Sequence, residues 1–145
     1  LDLTGIDVQR FARHLTFYAP AKWPPPPVIP GLSVLIVGFP KVYRETLTEQ
    51  GAIKFNSFNL KTQITSVSES NFVCAVDIQD MRNPSPQAIW PGAYGGISGC
   101  PIFAIRGSPS TFDLVGIAYE AGNDWHVLWA HHANFISSDG TLIGL

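Results

Sequence analysis

Ala93-Tyr94-Gly95-Gly96-Ile97-Ser98-Gly99-Cys100-Pro101-Ile102-Phe103 is the stretch that decides how the chain folds. A serine with glycines on both sides suits a tight turn that pushes its hydroxyl outward. A nucleophilic serine needs that exposure, together with amide N–H groups that converge on a developing oxyanion. Gly96 leaves room for a carbonyl to approach the backbone without a side chain in the way. Pro101 then leads into an apolar run that reads as a strand. A glycine-rich hairpin with an idle serine has the same residues, so the surroundings must separate the two readings.

Those surroundings are strand-rich. Upstream, Leu32 to Gly38 is a short β-branched run between Pro30-Gly31 and Pro40, as expected of a buried strand. Leu60, Thr62, Ile64 and Ser66 alternate with Lys61, Gln63, Thr65 and Val67, and Asn71 to Ile78 follows a polar turn, so this pair predicts a hairpin. Downstream, Pro101 to Ile105, Asp113 to Tyr119 and Trp125 to Ala130 read as further strands, separated by Gly and Ser clusters. About six short strands at this spacing predict an all-β sandwich or barrel. The tail, His131 to Ile136, reads as a short helix. Pro24 to Pro27 should form an extended polyproline segment without ladder bonds, a stiff connector or a ligand for a proline-reading domain.

Composition agrees and excludes several function classes. Hydrophobic residues make up 46% and charged residues 14% of 145, which supplies a core and argues against disorder. A formal net charge of −2 builds no basic face for nucleic acid. No apolar run approaches the length of about 20 residues that spans a bilayer, and the start shows no signal-peptide pattern. Cys74 and Cys100 lack CxxC neighbours and read as two buried thiols, so no metal site is expected. With no cofactor signature either, few cysteines and no leader, the expected location is cytoplasmic. The first residue, Leu1, fits a processed or truncated product.

Gly96-x-Ser98-Gly99-x-Pro101 resembles the G-x-S-G-G-P motif of trypsin-like (chymotrypsin-fold) serine peptidases, and it departs from the G-x-S-x-G elbow of α/β-hydrolases at Cys100. Four further landmarks stand in the family's order. Leu114 to Tyr119 has its Val115 seventeen residues after Ser98, where the family has the strand that holds the substrate backbone. Val34-Leu35-Ile36-Val37-Gly38-Phe39-Pro40 resembles the V-x-x-x-G-[WYF]-[GP] strand, with Gly38 sixty residues before the serine. Asp2-Leu3-Thr4-Gly5-Ile6 occupies the place of the catalytic-aspartate segment, with Asp7 as a competing candidate, and Trp129 to Ile136 resembles the closing strand and helix.

The resemblance implies a chymotrypsin-like antiparallel barrel, complete from residue 31 to 145. Residues 1 to 30 would be the end of a first barrel and a proline-rich connector. It implies Ser98 as nucleophile, the N–H groups of Gly96 and Ser98 as oxyanion hole, and Asp2 as the group orienting a histidine. Gly92, Ala93, Tyr94 and Gly95 on one side, with Ile117, Ala118 and Tyr119 on the other, would form the substrate-binding walls. Gly92 at the pocket base carries no charge, which predicts a neutral or apolar preference.

The general base has no counterpart. The family's histidine precedes the aspartate, whereas His14, His126, His131 and His132 all follow Asp2. Without a base, serine is a weak nucleophile. An N-terminal half, as another chain or further sequence, is therefore the expected partner beside a peptide substrate. Ile97 stands where digestive members carry an acidic residue, so activation by a freed N-terminus is not expected. Two other readings stay open: a non-catalytic relative that binds protein, and an unrelated β-barrel that shares the motif by chance.

Overall fold

A computed structural model describes residues 18, 20, 22–39, 44–47, 52–55, 57–76, 81–82, 97–108, 110–122 and 127–143, with 44–47, 52–55 and 81–82 described by their backbone alone. The described chain is built of strands: β1 (Ser33–Gly38), β2 (Arg44–Leu47), β3 (Ala52–Phe55), β4 (Phe58–Val67), β5 (Asn71–Ala75), β6 (Met81–Arg82), β7 (Pro101–Arg106), β8 (Thr111–Ala121) and β9 (Val127–His132). A single turn of 3₁₀ helix, Ala133–Phe135, follows β9. The tail expected as a helix from His131 is thus corrected. His131 and His132 remain in the ladder with β5 and β8, and only three residues coil.

Six of the strands close on themselves. The hydrogen-bonded order runs β1, β7, β8, β9, β5, β4 and back to β1, with every pair antiparallel. Closure leaves no free edge along this ring. Neighbours β1, β4 and β5 follow one another, and β7 returns across them to lie against β1, which makes a Greek key. Strands β7, β8 and β9 then complete the ring as a meander. Between β1 and β4 the chain adds a separate hairpin, β2 with β3, and β6 pairs briefly with β4 at Asn59 and Leu60.

The period-two pattern of the sequence dictates which side chains fill the ring. Val34 and Ile36 of β1, Leu60 and Ile64 of β4, Phe72 and Cys74 of β5, Ile102 and Ala104 of β7, and Leu128 and Ala130 of β9 are all buried. Their partners in alternation, such as Lys61 and Gln63, face out. A six-strand barrel is narrow, so its bore is filled by side chains rather than left as a channel. Large residues (Phe72, Ile36, Leu60) and small ones (Ala104, Ala118, Ala130) fill it together. Each fully buried Phe, Ile or Leu contributes about 1.5–3 kcal/mol by leaving water. Thr62 is the one buried polar side chain among the described residues, and its hydroxyl donates to the Ala75 carbonyl.

The proline run lies along the outside of this ring. Lys22 to Pro30 takes no helix or strand. It is tied down at intervals: Trp23 Nε1 donates to the Ile136 carbonyl at 2.9 Å, Arg106 Nη2 donates to the Pro27 carbonyl at 3.2 Å, and Gly31 N donates to the Ile64 carbonyl at 2.7 Å. Asp113 holds the Arg106 guanidinium at 3.4 Å. Only Val28 of the run enters the core. A cleft of about 350 Å³ remains between the prolines, the β4–β5 turn and the end of β9.

Candidate functional site

Ser98 sits at the tip of a four-residue turn that delivers the chain into β7. Cys100 N donates to the Ile97 carbonyl at 2.9 Å, closing the turn, and Gly99 has φ +90. A positive φ at the third position is the mark of a type II turn, where glycine is the residue that fits. The two ends of the turn are anchored and its tip is not: Ile97 and Cys100 are buried, while Ser98 and Gly99 are exposed. Ile97 therefore has a positive role that its mismatch to the digestive-peptidase pattern concealed. It pins the start of the turn in the core so that the next side chain must face solvent.

Strand β8 braces the other side. Gly99 N donates to the Ala118 carbonyl at 2.8 Å, and Ala118 N donates to the Cys100 carbonyl at 2.9 Å. One residue further, the register of β8 on β9 slips between Ala118 and Glu120, so Tyr119 is an extra residue in the ladder. Such a bulge re-aims main-chain groups locally. The Tyr119 carbonyl accepts a hydrogen bond from Ser98 Oγ at 2.9 Å. The serine hydroxyl is thus held by a main-chain acceptor, and no basic side chain among the described residues is bonded to it.

Of the residues expected to form a site, the structure brings together Ser98, Ile117, Ala118 and Tyr119. Ile117 and Tyr119 face outward and are half-buried. Ala118 does not present itself to a substrate: its methyl points into the barrel, and both of its backbone polar groups are taken by the serine turn. Asp2, Gly92, Ala93, Tyr94, Gly95 and Gly96 lie outside the described residues. Two landmarks distant in sequence meet: the position of a Cβ on Gly38 would lie 2.6 Å from Cys100 Sγ, so the end of β1 packs directly on the serine turn.

One residue of this neighbourhood enters the sequence reading as part of the closing strand or helix and as one of the four histidines that follow Asp2. His131 pairs with Ile117 across the β8–β9 ladder, and its ring stacks on Tyr119 with centroids 4.3 Å apart and planes at 24°. Its Nδ1 is buried without a hydrogen-bond partner. The available signal was the alternation in β9, since Leu128 and Ala130 point inward and so send Trp129 and His131 outward. His132 instead serves the scaffold, with Nε2 2.9 Å from the Ser68 carbonyl at the β4–β5 turn.

The thiols are structural. Neither Cys74 nor Cys100 forms a disulfide, and both are buried. Burial pushes the Cys74 thiol up to about 12 and also raises that of Cys100, where a backbone hydrogen bond with Phe39 works in the opposite direction. Since the thiolate is the reactive form, both should resist iodoacetamide at pH 8 in the native protein and react together in urea. Intact mass before and after denaturation checks this, and rapid native alkylation of Cys74 would contradict its enclosure. No group of three or more His, Cys, Asp or Glu side chains arranged to hold a metal occurs among the described residues. Among them, no helix is long and apolar enough to cross a membrane.

No protein-family model matches the chain, and comparison with curated proteins and with solved structures finds no match. The functional reading therefore rests on the geometry around Ser98.

Proposed function

We propose that this chain is the nucleophile-bearing barrel of a trypsin-like serine peptidase, in which Ser98 attacks the scissile carbonyl and forms an acyl-enzyme that water hydrolyses. The observation that carries this reading is the presentation of Ser98. Its hydroxyl stands exposed on a type II turn, pinned by buried Ile97 and Cys100, at the mouth of a closed antiparallel barrel. The strand expected to flank the substrate, β8, lies within hydrogen-bonding distance of that hydroxyl. The Greek-key connection and the packing of the Gly38 landmark on the serine turn fit the same reading.

Hydrolysis also requires a general base, which would take the Oγ proton and return it to the leaving amine. No described side chain is hydrogen-bonded to Ser98 in that role, so the proposal assigns the base to a histidine of an N-terminal half, as another chain or further sequence, oriented by Asp2. The Tyr119 carbonyl would then be the acceptor that Ser98 leaves when it turns to the histidine. The same hydrogen bond favours a second reading, a non-catalytic relative in which the serine stays bonded to Tyr119 and the surface binds protein.

A fluorophosphonate probe separates them. The chain, expressed together with whatever sequence its gene encodes upstream, should gain one adduct by intact mass, mapped to Ser98 and absent from Ser98→Ala. If neither the longer protein nor the chain ever labels, the peptidase reading falls and the binding reading takes its place.

A further inference from the structure

We propose that the cleft between the proline run, the β4–β5 turn and the end of β9 binds the arginine side chain of a protein partner. This function is separate from that of Ser98, since the cleft shares no residue with the serine turn or with Ile117 to Tyr119. At about 350 Å³ the cleft lies at the low end of ligand sites, roughly 300–1,000 Å³, and so suits one long side chain rather than a folded segment. Much of its wall is apolar: the rings of Pro24 to Pro27, with Val28, Val67 and Val115. The methylene groups of a long side chain can pack on such a wall while the polar head meets polar groups at the rim.

Those polar groups are rich in acceptors and poor in donors. Proline has no N–H, so four in succession offer carbonyls alone. No described residue donates to the carbonyls of Pro24, Pro25 or Pro26. Across the cleft, Ser68 directs both its N–H and its hydroxyl proton to the Asn71 carbonyl, at 2.8 and 2.9 Å. His132 Nε2 lies 2.9 Å from the Ser68 carbonyl, which places the proton on Nε2 and leaves Nδ1 as an acceptor in the neutral ring. Only the Asn134 amide remains as a side-chain donor among the described lining residues. Glu69 adds an exposed carboxylate, and no described lysine or arginine lines the cleft. A donor-rich cation complements this set. Lysine brings a compact, strongly hydrated charge, whereas a guanidinium brings five N–H groups in one plane and can reach acceptors on two walls at once. The proline run already takes one such contact, because Arg106 Nη2 donates to the Pro27 carbonyl.

Acetyl-Gly-Arg-Gly-amide is titrated into the ¹⁵N-labelled chain, beside the same peptide carrying lysine or citrulline, the neutral isostere of arginine. Amide shifts report where each peptide sits, and a parallel titration of Ser98→Ala removes any turnover. The arginine peptide should shift Ser68, Glu69 and Asn134 saturably and leave Gly99 and Cys100 unmoved. Citrulline should bind about fivefold more weakly, the upper range for one exposed ion pair, and Glu69→Gln should abolish that difference. Val67→Trp places a bulky ring in the cleft from an exposed strand position and should remove the shifts while the rest of the spectrum stays dispersed. Equal affinity for arginine and citrulline, equal affinity for arginine and lysine, no saturable shift, or shifts centred on Gly99 would each overturn the inference. Fluorophosphonate labelling of Ser98 should be indifferent to Glu69→Gln, so either claim can fail without the other.

Discussion

Gly116→Ala should cost the barrel about 3 kcal/mol, the upper end of what overpacking a closed core typically does. Gly116 lies at the centre of β8, opposite Ile102 on one side and His132 on the other. A Cβ at this position would stand 2.5 Å from Cε1 and Cζ of Phe72 and 2.7 Å from the His131 carbonyl. Neither neighbour can give way cheaply. Phe72 is wholly buried among close-packed side chains, and the carbonyl is part of the β9 backbone. Urea denaturation should show a lower midpoint with an unchanged slope, the signature of lost stability rather than an altered unfolded state. Adding Phe72→Leu should recover only part of the loss, because the carbonyl contact remains. An unchanged midpoint would mean that Phe72 does not pack over Gly116.

That position shows why the fold was easier to read than the site. The six barrel strands follow from alternation and punctuation: Leu60, Thr62 and Ile64 face in, Lys61, Gln63 and Thr65 face out, and Pro30-Gly31 marks where β1 begins. Burial of one face enforces such a pattern, so the residues record it. The β2–β3 hairpin left no comparable trace. Arg44–Leu47 and Ala52–Phe55 form a separate two-stranded sheet, and at four residues each they are too short to carry a long alternating run. The end of β9 misled for a related reason. Two histidines followed by Ala-Asn-Phe suggest a helix start, but ladder bonds to β5 and β8 hold His131 and His132 extended.

At the site, the turn chemistry was legible and the partners were not. Gly99 announces a positive φ, and the flanking apolar residues announce a turn anchored at both ends. What Ser98 bonds to depends on a bulge at Tyr119, twenty-one residues away, and no local residue choice marks that slip in register. The stack of His131 on Tyr119 also depends on it, since a bulge changes which side chains of β8 stand over those of β9.

The contact between Gly38 and Cys100 explains the one departure from the serine motif that touches the core. Where the resembling family has a second glycine after the serine, this chain has Cys100, and its Sγ fills the space that a Cβ on Gly38 would need. The two residues should therefore behave as a coupled pair. Gly38→Ala alone should cost about 2 kcal/mol, since the new methyl would lie 2.6 Å from Sγ and 3.4 Å from Phe58 Cδ1. Cys100→Ala alone should cost about 1 kcal/mol through the void it leaves. Together they should cost less than the sum, with a coupling of about 1–2 kcal/mol, because the methyl of one occupies the void of the other. Simple additivity in urea denaturation would show that the side chains do not touch. Cys100→Gly, which would complete the G-x-S-G-G-P pattern that the turn resembles, should be worse than Cys100→Ala by about 0.5–1 kcal/mol, since glycine adds backbone freedom to the same void. Cys100 also accepts from Ala118 N through its own carbonyl and closes the turn through its N–H, so loosening it loosens the platform under Ser98. The thiol is thus one support of the serine's exposed position, reached by a different packing solution from that of two adjacent glycines.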